Sequence, residues 1–365
     1  MRRIFAEGGR AVIREVEAPE PRPGEVLVRT AVSTVSAGTE LLILRKSAVP
    51  DAVDEEYPGA APWEDPAFRA GIPLPLRPRR PVPGGISLGY SCAGTVIGVG
   101  AGVTDLAPGD RVACSGSQCA HHAEIVAVPR NLTVRVPADV PIADASFVTL
   151  GAIATEAIRR TEVTFGETIV LYGLGLLGLL AGQIAAAAGI YTIGLDLDPR
   201  RLALARALGI TDVHDPSTTD VPALVRAEAR RARADGVILG VVTPSSEPLA
   251  QSLAISRQKA RVVGLGVFGM HLDRDLLGDR EIVRSIAYGQ GRYDPAYEEN
   301  NVDYPIGIVR WTENRNAQHV LRLMAEGRLV TAPLAQPFAF ADAPAGYALL
   351  QSPERPPTIQ LVHEA

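Results

Sequence analysis

The sequence predicts an α/β protein of two domains, a β-rich unit followed by a doubly wound parallel sheet. Three observations predict it. The chain has 365 residues, more than one hydrophobic core usually serves. Near Ile142 the pattern changes from short strands cut by Gly and Pro to strands alternating with helices. In the second half a glycine-rich turn stands between a strand and a helix.

Composition supports a globular chain and narrows its partners. Hydrophobic residues make up 47% and charged residues 21%, near the globular average, so a sizeable core is available. The net charge of -5 and scattered Lys and Arg exclude a nucleic-acid stripe. Cys92, Cys114 and Cys119 are too few for a disulfide framework or a tetrahedral zinc cage and suit a reducing compartment. The start MRRIFAEGGRAVIREVE has no apolar stretch of signal-peptide length. The longest apolar run, Thr168 to Leu180, is too short for a bilayer. The expectation is a cytoplasmic protein with no nucleic-acid or membrane partner.

From Arg2 to about Val140 the segments VLVRTAVSTV, CAGTVIGVG, DRVAC, AEIVAVP and LTVRVP read as strands. Pro23-Gly24, Pro108-Gly109 and Gly109-Asp110 punctuate them, which predicts an all-β segment. Within it Ser47 to Gly85 is proline-rich and shows neither period. A stretch of that length is either a loop over the active site or a surface elaboration. After Ile142 come ETIVLYG, LLGLLAGQIAAAAG, YTIGLDLD, PRRLALARALG, DGVILGVV and ARVVGLG, the alternation of βαβ units. Near Ser285 this stops. A Tyr- and Arg-rich stretch, an amphipathic helix around Gln318 to Glu326 and a strand near Thr358 to Val362 follow. The expected division is 1–154 for the β-rich domain, with 47–85 as its insertion, 155–287 for the parallel sheet, and 288–365 returning to the first domain.

IVLYGLGLLGLLAG sets Gly173, Gly175 and Gly178 in a G-x-G-x-x-G pattern after a strand, with Leu176 and Leu177 between the last two glycines. The first glycine permits the turn, the second lets a pyrophosphate reach the backbone, and the third lets helix pack on strand. The helix N-terminus adds N–H donors and the positive end of its dipole. Such triplets arise by chance in a chain with 35 glycines. Here the second strand ends at Asp196, about twenty residues on, where a carboxylate accepts the adenosine ribose hydroxyls. Asp198 and Pro199 read instead as N-cap and first residue of the next helix. The charge of Asp196 opposes a 2'-phosphate, so NAD is favoured over NADP; Arg200 and Arg201 keep NADP as the lesser reading.

GEVLVRTAVSTVSAGTELL, LGYSCAGTVIGVG, APGDRVA, FVTLGAIATEAI, VLYGLGLLGLLAGQIA and FADAPAGYALL, in that order, resemble the medium-chain dehydrogenase/reductase family over nearly the whole chain. The resemblance implies a GroES-like β-rich catalytic domain, a Rossmann domain and an oxidoreductase. Zinc members carry a cysteine before G-[ST]-D, where this chain has Ala37 before Gly38, Thr39 and Glu40. They carry Gly-His-Glu where it has Gly89, Tyr90 and Ser91, and a further ligand near Gly151. A catalytic zinc needs three N, S or O ligands, so the chain resembles the zinc-less branch and no zinc is expected. His121 and His122, read as strand neighbours on opposite faces, do not chelate together. The stretch AYGQGRYDPAYEENNVDYPIGIVRWTENRN is also similar to that branch, and S-x-G-T-E resembles the zinc-less bacteriochlorophyllide dehydrogenases.

Without a metal, side chains must take the hydroxyl proton and steady the oxygen. The resemblance gives these tasks to Thr39, Tyr90 and Glu40. The bland alternatives are a helix cap for Thr39, an aromatic filling the vacant metal pocket for Tyr90, and an arginine partner for Glu40. Gly264 and Gly266 are expected to line the nicotinamide through backbone atoms, and Thr155 to touch its far face. Tyr288, Arg292 and Tyr293, with Tyr297 and Arg310 nearby, suit a polyhydroxylated or carboxylated substrate, or else a dimer surface. The resulting reading is a zinc-independent NAD-dependent dehydrogenase or reductase, a homodimer acting on a hydroxyl or ketone of a sugar, cyclitol or similar polar metabolite in biosynthesis. The rivals are a zinc-free quinone or enone reductase using NADPH and a non-catalytic nucleotide-binding protein.

Overall fold

The computed structural model describes residues 1–48, 85–210, 212–229, 233–271, 274–285 and 287–364. Strands Arg2–Glu7 and Arg10–Glu15 form an antiparallel hairpin across Gly8 and Gly9. The main sheet of the β-rich unit runs Ala335–Ala339, Thr358–Val362, Glu25–Thr34, Ser91–Val99, Arg111–Ser115 and Thr133–Arg135, with Ile125–Pro129 also paired to Glu25–Thr34. Gln360 pairs with Thr34, so the last strand does return to the first unit. Val26, Val28, Val96, Val112, Val126 and Val128 pack together as its core.

This unit is not all β. Ala37–Ala48 is a helix, because Ser36 N–H is capped by the Glu40 carboxylate at 2.7 Å and Leu41 and Leu44 turn one face onto Ile4, Val35 and Ile359. The helix absorbs Ser47 and Ala48 from the stretch expected to be loop. Apart from Gly85, the remainder of that stretch, expected to cover the site, lies outside the described residues.

The second unit is a parallel sheet of six strands in the order Asp212–His214, Tyr191–Leu195, Thr168–Tyr172, Ala234–Leu239, Ser256–Gly264 and Glu281–Arg284. Thr168–Tyr172 is apolar on both faces, as a strand covered by helices on each side must be. Ile169 and Leu171 enter the cluster with Leu179 and Ile184, while Val170 and Tyr172 enter the one with Leu249 and Leu253. Strand order reverses between Thr168–Tyr172 and Ala234–Leu239, a switch point of the kind beyond whose C-terminal strand ends doubly wound sheets take their ligands.

Helix Val148–Thr161 straddles the expected boundary at 154 and fastens the two units. Its Ala152 packs in the β-rich core, whereas Leu150, Ala154 and Ala157 pack against the parallel sheet. The amphipathic helix begins earlier than expected, at Glu313, and runs to Ala325. Among the described residues no helix is long and apolar enough to cross a membrane.

Candidate functional site

The glycine turn lies at this switch point. Gly173 has φ +92, a left-handed conformation that Gly adopts without strain. A Cβ on Gly178 would lie 2.0 Å from the Gly173 carbonyl oxygen, whereas one on Gly175 would meet nothing within 4 Å. Gly178 is therefore needed for helix packing, and Gly175 borders open space. The helix Leu176–Ala187 has no side-chain cap and no acid in its first turn. Its leading N–H groups, at Leu176, Leu177 and Gly178, have no acceptor one turn back and face that space. Such a terminus fits a pyrophosphate.

Asp196 is mostly buried at the end of Tyr191–Leu195, as expected from its position. Its carboxylate accepts from Leu174 N at 2.7 Å and Asp198 N at 2.9 Å, which fixes it beside the turn and, with Arg201 on the same oxygen as Leu174, leaves an acceptor position on Oδ1 for a hydroxyl. Asp198 caps the next helix, as its sequence context predicts, accepting from Arg200 N. The Arg200 guanidinium beside it lowers its carboxyl to about 2. Arg200 bonds Asp198 and the Pro353 carbonyl, and Arg201 pairs with Asp196 at 3.4 Å. The residues present fit a nicotinamide dinucleotide. Gly264 and Gly266 lie at the C-terminal end of Ser256–Gly264, and a Cβ on Gly266 would strike the Val241 carbonyl oxygen at 1.9 Å. Thr155 is buried and donates to Gly151 O at 2.9 Å within its own helix, so its hydroxyl is already engaged.

Tyr90 packs against the apolar cluster that also holds Leu174 and Leu176 of the glycine turn. Its hydroxyl donates to Ser36 Oγ at 2.5 Å. Burial first, and then the Glu40 charge, push the phenol up to about 12, against the pull of the Ser36 and Thr39 hydroxyls. Tyr90 is thus a neutral donor at physiological pH, and Ser36, Thr39 and Tyr90 form a cluster of hydroxyls. Thr39 is exposed on the first turn of helix Ala37–Ala48.

Zinc does not fit here. Ala37 offers no ligand atom, Tyr90 holds its proton, and Ser91 Oγ donates to Ser146 O at 2.7 Å while accepting from Thr149 N at 3.2 Å. Gly151 is not at the site, since a Cβ there would meet Val320. Its neighbour Thr149 is, donating to the Tyr90 carbonyl at 3.0 Å. Among the described residues no group of three or more His, Cys, Asp or Glu is placed to hold a metal.

Glu40 is 1% exposed and touches no solvent-facing space directly. It accepts from Ser36 N, from His122 Nε2 at 3.1 Å and from Tyr347 Oη. Among the described residues it pairs with no arginine, and its charge acts on the Tyr90 phenol. His121 and His122 occupy a loop rather than a strand, and both are buried. Only His122 faces Glu40.

Of the residues expected to hold substrate, Arg292 and Tyr288 are engaged within the fold. Arg292, its side chain 7% exposed, bonds Glu298 at 2.5 Å, Ser117 Oγ at 2.9 Å and Gln118 Oε1 at 3.3 Å. It also lies over the Tyr293 ring, 4.2 Å from the centroid. A buried guanidinium needs such partners and is not free for a ligand. Tyr288 is buried in the β-rich core. Tyr297 is buried and stacks on Tyr304, while Arg310 is exposed. Tyr293, half-buried, is the member of the expected trio that keeps an accessible face. Sequence reasoning missed Ser36, His122 and Tyr347. The S-x-x-x-E spacing before LLILRK was a signal for Ser36 as a helix start; no local signal marked the other two.

Two family models match the chain, one described as an alcohol dehydrogenase GroES-like domain over residues 22–147 and one as a zinc-binding dehydrogenase over residues 177–299. The galactitol 1-phosphate 5-dehydrogenase of Escherichia coli K12 is 28% identical over 221 residues, covering 53% of this chain and 64% of that protein, less than two thirds of its length. The D-guloside 3-dehydrogenase of the same strain is 27% identical over 355 residues, 95% of each chain. The alcohol dehydrogenase TADH from Thermus sp. ATN1 superposes over 100% of both chains with a TM-score of 0.73 at 22% identity, a likeness of fold.

Proposed function

We propose that this chain, which belongs to the zinc-type alcohol dehydrogenase-like family of medium-chain dehydrogenases, is a metal-independent, NAD-dependent oxidoreductase acting on a hydroxyl or ketone of a sugar, cyclitol or similar polar metabolite. The observation that carries this reading is the Ser36, Thr39 and Tyr90 hydroxyl cluster, in which Tyr90 holds the position that the family resemblance gives to a zinc-binding His. Bound NAD supplies a hydride acceptor or, when reduced, a donor. With substrate in place, Tyr90 turns its single O–H from Ser36 to the substrate oxygen and stabilises the charge that builds there. Thr39, exposed on its helix, passes the hydroxyl proton towards solvent. Gly173 to Gly178 hold the pyrophosphate, and Asp196 accepts from the adenosine ribose.

NAD is preferred to NADP because Asp196 opposes a 2'-phosphate and both neighbouring arginines are already paired with carboxylates. The names of relatives as dehydrogenases of galactitol 1-phosphate and of D-guloside support a polyol or sugar substrate. A homodimer in the cytoplasm is proposed as well, with the outermost strand Glu281–Arg284 as the pairing edge. The test is to mix protein with NAD or NADH and a panel of polyols, ketoses, quinones and enones and to follow reduced-nicotinamide absorbance, with metal analysis on the same sample. Turnover on a polyol or ketose without zinc, lost in Tyr90→Phe, is the expected result. Stoichiometric zinc, quinone reduction alone, or nucleotide binding without any turnover overturns it.

A further inference from the structure

An ionised carboxylate is costly to bury unless donors surround it. Glu40 has three, from separate parts of the chain. The Ser36 N–H is the cap of the helix that carries Glu40. The other two, His122 and Tyr347, lie 82 and 307 residues away, and neither is needed to close that helix turn.

His122 is itself fixed. Its Nδ1 lies 2.8 Å from Ser33 Oγ, and Ser33 Oγ lies 3.3 Å from His363 Nε2. One assignment of protons satisfies the whole row: His363 Nε2–H donates to Ser33, Ser33 O–H to His122 Nδ1, and His122 Nε2–H to Glu40. Every donor then points towards Glu40. The order Ser, His, Glu resembles a nucleophile triad, yet Ser33 is fully buried and reaches no substrate. The charged groups facing this row are Arg3 beside His121 and Arg2 and Glu124 near His363, while the flanking histidines themselves are neutral. Burial drives His121, beside Arg3, and His363 down to about 3, and Tyr347 is pushed well above its ordinary range by burial and by Glu40.

We propose that His122 and Tyr347 are positioning residues that hold Glu40 as an anion beneath Ser36, Thr39 and Tyr90, so that the site hydroxyls remain donors towards the substrate oxygen. The role of Tyr90 in this inference rests on the metal-free reading above. The clamp itself does not, because it is visible without substrate or nucleotide.

The test is an NMR titration of the nucleotide-free full chain, with tyrosines isotopically labelled at the phenol carbon and Tyr90 identified by the signal lost in Tyr90→Phe. Glu40→Gln is expected to lower the Tyr90 midpoint by about one pH unit, the loss of one neighbouring charge. In Tyr347→Phe and His122→Leu the Glu40 charge is kept but less compensated by donors, so each is expected to raise the midpoint by a fraction of a unit, with no such change when either is added to Glu40→Gln. If Tyr347→Phe leaves the midpoint unmoved, or adds to Glu40→Gln, the clamp is refuted. That variant deletes one hydroxyl from an unchanged ring, so it decides the matter even if His122→Leu does not fold. A positive titration alongside absent turnover would sink the dehydrogenase reading and leave the clamp standing.

Discussion

Gly175 and Gly178 lie three residues apart, yet adding one methyl group to each should have opposite effects. At Gly175 the backbone has φ −69 and ψ −172, which alanine adopts, and the new Cβ would meet nothing within 4 Å. Gly175→Ala should leave stability intact or raise it by about 0.4–1 kcal/mol, through lost freedom of the unfolded chain. The same methyl projects where the pyrophosphate enters, so NADH affinity should fall at least about tenfold, or about 1.4 kcal/mol. At Gly178 the Cβ would lie 2.0 Å from a backbone oxygen that no rotamer change can move. Overpacking of this kind costs about 1–3 kcal/mol, against at most about 1 kcal/mol gained in helix propensity. With about 2–4 °C per kcal/mol, Gly178→Ala should melt several degrees lower and also bind poorly. Thermal melts and calorimetric titration with NADH measure both quantities. Wild-type affinity in Gly175→Ala, or a wild-type melt in Gly178→Ala, would refute the assignment of the turn.

Arg292→Met should destabilise by about 3–5 kcal/mol in urea unfolding, because Glu298 keeps a buried charge without its partner; an unchanged midpoint would restore Arg292 as a candidate substrate ligand. Burial and then the Glu298 charge raise the Glu313 carboxyl well above its ordinary 4.5, against the pull of Arg292 and the Tyr288 hydroxyl. The folded chain therefore keeps a proton that the unfolded chain releases, and stability falls as pH climbs from 4.5 towards the folded-state value, by up to about 1.4 kcal/mol per unit. Glu313→Gln should flatten this slope and unfold later than wild type at neutral pH; the same slope in both proteins would count against it. Asp196→Ala should narrow the preference for NAD over NADP, read as the ratio of their dissociation constants, and an unchanged ratio would remove Asp196 from cofactor choice. Light scattering should give the mass of a dimer at working concentration, and a monomer would exclude pairing through Glu281–Arg284.

What could be read along the chain was whatever is specified within a few dozen contiguous residues. The glycine turn, the acid at Asp196, the Asp198 cap and the strand at Thr358–Val362 each depend on local backbone geometry or on hydrophobic period, which neighbouring residues fix by themselves. The alternation after Ile142 likewise announced the parallel sheet. Helix Ala37–Ala48 lay within reach, since Ser36 and Glu40 cap it, but surrounding strands masked the signal. The task of each polar side chain followed a different rule. In the sequence Arg292 suits a substrate and Glu40 a catalytic task or an arginine partner, whereas the fold brings Glu298, Ser117 and Gln118 around the one and His122 and Tyr347 around the other. A buried charge is governed by whichever donors the fold brings within about 3 Å, and partners 82 to 307 residues apart leave no periodic trace in the sequence.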